Sequence, residues 1–161
     1  MKLNQTIETE QLAEWIDAWQ DQLFRYAFFR IGRREDAEDV VQDAFLKIAS
    51  ATTHISNPKA YLFRMVGNGC VDMMRKKDKF SPLEERMPAP SHIEEAEAQE
   101  EAERINRLLS LLPEAQSEVI RLHIHANLKF TEIAELLEQP VTTIKSRFAS
   151  GIEKLRSQII N

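Results

Sequence analysis

The sequence predicts an all-α protein built from two small helical domains joined by a flexible acidic linker, the C-terminal domain being a helix-turn-helix. Three observations carry that expectation. Apolar residues recur at helical spacing along most of the 161-residue chain, and only four Gly and six Pro interrupt it. Charge is segregated: the net is +4 over residues 59–79 and +2 over 121–161, but −7 over 80–103 between them. The stretch from Phe130 to Arg156 reads as two short helices and a tight turn, the second helix studded with polar and basic side chains. With 43% hydrophobic residues the chain can bury a core.

In residues 8–31 the apolar set Leu12, Trp15, Ile16, Trp19, Leu23, Ala27 and Ile31 defines a first helix, which Gly32 can terminate in a left-handed conformation. From Glu35 to Ser50 the residues Ala37, Val40, Val41, Ala44, Phe45 and Ile48 form an inner face. Glu35, Glu38, Asp39, Gln42, Asp43 and Lys47 form a mostly acidic outer one. Ser50 to Ser56 has no periodicity and reads as a loop, after which Asn57 and Pro58 supply a cap and a first-turn proline. The third helix should bury Tyr61, Leu62, Met65, Val66, Cys70 and Met73 and end in the basic run Arg75, Lys76, Lys77 and Lys79. Gly67 and Gly69 are out of place there, since each weakens a helix interior by about 1 kcal/mol relative to Ala. They flank Asn68, which shares a face with Asp72 and Arg75, and they would let another backbone approach closely. A capped, charge-paired surface stripe explains the same three polar residues.

Phe80 to about Ile93 contains Pro82, Pro88 and Pro90 and several acids, and reads as linker, with helix resuming around Glu94. Leu108, Leu109, Leu111 and Leu112 close one helix. Pro113 opens another, which Val119, Ile120, Leu122 and Ile124 continue. His123 and His125, two apart, point to different sides of that helix, so a shared metal site is not expected and surface or boundary positions explain them. In the final unit Ile133, Ala134, Leu136 and Leu137 face inward, Phe130 staples the start and Thr131 caps it, and the turn falls at Glu138 to Pro140. Ile144, Phe148, Ile152 and Leu155 then face inward. Thr142, Thr143, Lys145, Ser146, Arg147, Ala149 and Ser150 are left where a major groove could be read, although an ordinary helical hairpin with solvated charges has the same pattern.

The single Cys70 excludes an internal disulfide, and no stretch reads as a membrane span or a signal peptide, so a cytoplasmic protein without membrane insertion is expected. A net charge of −5 argues against simple coating of nucleic acid. No glycine-rich phosphate loop, metal-ligand spacing or nucleophile and base pair stands in the sequence. An enzyme, catalytic residues, a cofactor, a metal and a small-molecule substrate are therefore not expected.

The order of these motifs resembles the bacterial RNA polymerase sigma factors of the extracytoplasmic-function type. DAEDVVQDAFLKI at Asp36 to Ile48 is similar to the family's core-polymerase-binding helix. AYLFRMVGNGCVDMMRKK at Ala60 to Lys77 is similar to its minus-ten-element helix. LLSLLPEAQSEVIRLH followed by FTEIAELLEQPVTTIKSRF resembles its minus-thirty-five-binding region, and the spacing leaves no room for the middle domain of primary sigma factors. The resemblance implies region 2 over residues 1–79, a linker over 80–103 and region 4 over 104–161. It implies two partners, core RNA polymerase and promoter DNA, and leaves open whether an anti-sigma factor is a third.

By the same resemblance Asp39, Gln42 and Asp43 face the polymerase clamp. Asn68 and Asp72, with the loop from Ser50 to Ser56, hold the unpaired non-template strand. Arg64, Arg75, Lys76 and Lys77 position phosphates beside it. Lys145, Ser146 and Arg147 read the upstream duplex, with Thr142, Thr143 and Ser150 on the same helix, unless Arg147 instead pairs with Glu132 or Glu135. Glu138 stands where the family's turn has glycine, and Ala149, Ser150 and Gly151 stand where it has a further arginine-containing stretch. The fourteen residues from Phe80 to Ile93 span at most about 46 to 50 Å, which with the size of each half suits promoter elements about 60 Å apart. A conventional helix-turn-helix regulator and a helical adaptor protein are the alternatives from other classes.

Overall fold

Helix ends in this chain follow from local chemistry. The computed structural model describes residues 8–79 and 93–160, with side chains for 8–76 and 96–159. Helix α1 (Thr9–Ile31) stops at Gly32, whose φ of 83° is the left-handed value a Cβ disfavours and whose N–H donates to Phe28 O at 2.7 Å. Helix α2 (Arg34–Ala49) follows at once. Helix α3 (Pro58–Lys79) begins where the Asn57 Oδ1 accepts the Ala60 N–H at 3.1 Å, as the Asn-Pro pair predicts. Leu23, Tyr26 and Ala27 of α1, the predicted inner face of α2, and Leu62, Val66 and Cys70 of α3 are buried together. The Cys70 thiol is fully enclosed, and burial pushes it up to about 12, so it packs as a small hydrophobe.

Side chains rather than a foreign backbone explain the two glycines of α3. A Cβ on Gly69 would lie 2.8 Å from Val40 Cγ1, so α2 and α3 can pack at this distance only with glycine there. A Cβ on Gly67 would lie 3.0 Å from the Tyr26 hydroxyl, which passes over α3 toward the second half of the chain.

Helix α4 (Ile93–Leu109) replaces the 93–103 part of the expected linker and runs unbroken through the expected boundary at 104; Ala102 within it is fully buried. The remainder of that linker lies outside the described residues. Pro113 opens α5 (Glu114–Ile120), which continues into a π-turn over Arg121–His125. The wider turn shifts the helical phase, so His125 is buried and Ile124 is 48% exposed, reversing the positions the plain 3.6-residue period assigns. Asn127 takes a φ of 58° and ends the segment.

Helix α6 (Phe130–Leu137) is capped by Lys129, whose N–H donates to Glu132 Oε1 at 2.9 Å. Thr131, the expected cap, lies one turn-position inside the helix and is exposed. The turn forms at Glu138, and α7 (Val141–Ile160) follows with Ile144 fully buried. Glu138 adopts φ 55° and ψ 48°, so a glutamate occupies the left-handed turn position.

The two halves pack on each other. Leu122, Leu128, Ile133, Leu136 and Ile144 belong to the same buried cluster as the α1–α3 core. Phe63, which the α3 periodicity leaves off the core face, is 1% exposed because it is covered from the second half as well as by Tyr26. A smaller cluster of Leu109, Leu112 and Ile120 receives Phe148, Ile152 and Leu155 from α7.

Candidate polymerase and nucleic-acid interfaces

On α2 the residues Asp39, Gln42 and Asp43 are all exposed, at helical positions i, i+3 and i+4. Leu46 continues that stripe at i+7 and is 61% exposed, an apolar side chain the sequence reading missed. Its signal was available: it lies opposite the buried series Val41, Phe45 and Ile48.

On α3, Arg64, Asn68, Asp72, Arg75 and Lys76 are exposed. Asp72 and Arg75 form an ion pair at 3.6 Å, which leaves the Arg75 guanidinium held at the helix surface. Arg64 turns toward the second half, and its Nη2 donates to Leu136 O at 3.0 Å. The Lys77 side chain lies outside the described residues.

On α7, Thr142, Lys145, Ser146 and Ser150 are exposed and Thr143 and Arg147 are half-buried, with Ile144 turned inward as the period predicts. The two glutamates considered as partners for Arg147 are engaged across the halves instead: Lys59 Nζ donates to Glu132 at 2.8 Å and Asn57 Nδ2 donates to Glu135 at 2.5 Å. Burial raises the Glu132 carboxyl, but the Lys59 hydrogen bond and the Lys129 N–H outweigh it and bring the group below its ordinary range. Arg147 lines a cavity of about 510 Å³ together with Arg64, Asn68, Val71 and Gln139. Of the residues expected to meet DNA, Arg64, Asn68 and Arg147 face this one space, and Lys145 and Ser146 are exposed outside it.

A polar cluster beside that cavity joins α1 to α5 and the π-turn. The Tyr26 hydroxyl donates to Glu118, and Arg30 Nη1 donates to the same carboxylate at 2.9 Å. Arg30 also reaches Glu114 at 3.3 Å, and Arg121 reaches Glu114 at 3.2 Å and Glu118 at 3.5 Å. Burial, then the Glu118 charge, pushes the Tyr26 phenol well above its ordinary value, so it remains a donor. Arg30 is raised as well: burial opposes its charge, and the Glu118 carboxylate overcomes that. Further along, Gln22 donates to Ala126 O at 2.8 Å and to Asn127 O at 3.2 Å, and Arg25 Nε donates to His125 O at 3.1 Å. These carbonyls close the end of the π-turn, where a helix leaves acceptors unpaired.

Both histidines are packed rather than at the surface. His123 stacks on Phe130 at 4.1 Å and its Nδ1 meets Leu128 O at 2.9 Å, while His125 stacks on Phe29 at 4.2 Å. Burial, then the charges of Arg121 and Arg25, pushes His125 down to about 4, so it is neutral in the folded chain. Among the described residues no group of three or more His, Cys, Asp or Glu side chains could hold a metal ion. Among the described residues no helix is long and apolar enough to cross a membrane.

The Sigma-70 region 2 family matches residues 15–80 and the Sigma-70 region 4 family matches residues 102–155. The chain belongs to the sigma-70 family, as an RNA polymerase sigma factor of the extracytoplasmic-function type that directs transcription initiation. RNA polymerase sigma factor SigV of Bacillus subtilis (strain 168) is 25% identical over 99% of this chain and 96% of its own length. ECF RNA polymerase sigma factor SigW of the same organism is 28% identical over 94% and 90%. Among solved structures, CnrH in complex with the cytosolic domain of CnrY gives a TM-score of 0.71 at 22% identity, over 94% of this chain and 89% of that one. Sigma factor RpoE in complex with the anti-sigma factor NepR from Bartonella quintana gives 0.61 at 20%, over 94% and 98%. These two show the same fold in both halves.

Proposed function

We propose that the chain carries promoter specificity to core polymerase through three separate faces and performs no chemistry itself. The outer face of α2, with Asp39, Gln42 and Asp43, docks on a basic surface of the polymerase clamp. The face of α3 holding Asn68 and Asp72 reads the unpaired non-template strand, and Arg64, Arg75, Lys76 and Lys77 contact phosphates around it. The exposed side of α7 reads the upstream duplex, with Lys145 and Ser146 at base edges, Arg147 on the backbone, and Thr142, Thr143 and Ser150 beside them. The observation that carries this reading is the exposure of Lys145 and Ser146 on a helix whose opposite side buries Ile144. A cytoplasmic location follows from work on chromosomal promoters. An anti-sigma factor is the remaining partner, supported by the structural relative solved with NepR.

Promoter selection with the holoenzyme tests the assignment. From a randomised upstream library, Lys145→Ala and Ser146→Ala should each recover different sequences from the parent, since a direct base contact contributes about 1 to 3 kcal/mol of discrimination. Arg147→Ala should weaken all promoters alike. Asn68→Ala should reduce permanganate reactivity of unpaired thymines more than closed-complex binding. Unchanged upstream preference in active Lys145→Ala and Ser146→Ala holoenzymes would remove α7 as the reader.

A further inference from the structure

We propose that the cavity between α3 and the α6–α7 unit is a binding site for a small amphipathic anion, a single oxyanion head on an apolar body. The site is a property of the free chain and does not depend on the promoter assignments.

Charge selects the head group. Glu114 and Glu118 on the cavity wall are paired with Arg30 and Arg121 at 2.9 to 3.5 Å. That pairing leaves Arg64 and Arg147 as the uncompensated charges lining the space. Arg64 donates one of its N–H groups to the Leu136 carbonyl, at 3.0 Å, and keeps others for a ligand. Arg147 is half-buried on α7, and its guanidinium has no hydrogen-bond or ion-pair partner among the described residues. A partly desolvated, unpaired cation carries a free-energy cost that a bound anion offsets. Asn68 and Gln139 line the same space with side-chain amides that have no protein partner among the described residues, so they can donate to the oxygens of the head.

Volume and walls select the body. About 510 Å³ lies within the range that encloses a small organic molecule, and such sites favour the contact between two domains. Leu136 and Leu137 from one half and Val71 from the other supply apolar wall, and Val71 keeps 38% of its surface exposed. A bare inorganic anion would leave that wall in water. A hydrocarbon would leave Arg147 unpaired, and a triphosphate would bring more charge than two guanidinium groups balance. Because the lining comes from both halves, an occupant touches both and stabilises the folded chain by mass action.

Decanoate and decanol, titrated by calorimetry into the full chain below their micellar concentrations, test the site. Decanoate should bind once per chain, at least about tenfold tighter than decanol, as charge-assisted hydrogen bonds to a guanidinium require. It should also raise the melting temperature. General electrostatics would act the other way, because the chain carries a net charge of −5. Arg147→Leu should abolish the preference for decanoate. Val71→Trp, which fills the cavity from an exposed wall position, should weaken both ligands at least tenfold. Lys154→Ala, which removes an exposed cation of α7 outside the cavity, should bind decanoate as the parent does. Equal affinities for decanoate and decanol in the parent overturn the proposal, as does a preference that survives Arg147→Leu. Undiminished binding in Val71→Trp puts the amphiphile elsewhere and overturns it as well. If Val71→Trp does not fold, Gln139→Trp, on an exposed wall position of the second half, decides in its place by the same criterion.

Discussion

The outer face of α2 and the surface between the halves are both rich in carboxylates, yet they are built for opposite ends. Asp39 and Asp43 stand exposed in a stripe that finishes on the exposed Leu46. Glu118, Glu132 and Glu135 stand on α5 and α6 and each meets a side chain from α1, from α3 or from just before it. Charge per segment does not distinguish the two sets. What distinguishes them is whether the helix face has another element across from it. An acidic stripe with nothing opposite keeps its charge available to a partner, and an acidic residue with a cation or phenol opposite is part of the fold.

Reversing charge on the open stripe should give the largest effect and the least cost to the fold. Asp39→Lys with Asp43→Lys should weaken core polymerase binding at least about 30-fold, roughly 2 kcal/mol, because charges that meet a complementary surface fix affinity and register. Thermal stability should hardly move, as surface substitutions remain within about 0.5 kcal/mol. Unaltered polymerase affinity in the folded double variant would make α2 a solvated face and dissolve the contrast.

The enclosed surface should instead reveal itself through acid sensitivity. His125 takes a proton near 6.5 when unfolded and only near 4 when folded. Its contribution is therefore complete well above pH 6.5 and is lost as the pH falls through 6.5 toward 4, by about 2 kcal/mol between pH 7 and 4.5. His125→Phe keeps a ring against Phe29 and cannot be protonated, so denaturant titrations between pH 7 and 4.5 should show a shallower loss of stability than in the parent. Parallel curves for the two proteins would mean that His125 does not titrate across this surface.

Two glycines sharpen the comparison at smaller scale. Gly69→Ala should destabilise by about 1 kcal/mol net, since a Cβ 2.8 Å from the stiff, branched Val40 overpacks the α2–α3 contact by more than the helix gains from alanine. Gly151→Ala meets Ile120 Cδ1 at 2.7 Å, the far end of a rotatable side chain, and should be nearly neutral. Equal chemical midpoints for the two variants would contradict this difference in compliance.

A small gain rather than a loss is expected at Glu138, a carboxylate whose backbone rather than whose charge matters. With φ at 55°, Glu138→Gly should relieve left-handed strain and raise stability by about 0.5 to 1 kcal/mol, without changing the upstream sequences selected. A fall in melting temperature would show that the side chain contributes more than the turn does.

Helix number, order and inner faces were legible because they depend on local periodicity and on caps. Gly32, the Asn57-Pro58 pair and the Ile144 face all behave as their neighbours in sequence dictate. Phe63 and the two histidines were not, because their burial depends on residues far along the chain and, for His125, on the extra residue of the π-turn. The restart of helix at 93 agrees with the resumption expected near Glu94, yet the α4 surface against α1 leaves no mark in a run of glutamates. For the site, exposure of the α2 and α7 residues was readable from helical phase alone. That Arg64 would be tied to α6, and that Gly67 serves Tyr26, required the second half to be in place.

Gln22 and Arg25 contact backbone a hundred residues further on, at His125, Ala126 and Asn127. During synthesis the chain emerges N-terminus first, so α1, α2 and α3 can assemble while their later partners are still inside the ribosome. Throughout that interval Phe63 and the α3 side facing α6 are uncovered, and the nascent chain carries a sticky patch that closes only after Leu136 has left the exit tunnel. The long sequence separation of these contacts makes their formation a late and comparatively slow event in folding. Translation speed across the stretch that encodes residues 80–137 thereby sets how long the first half waits alone.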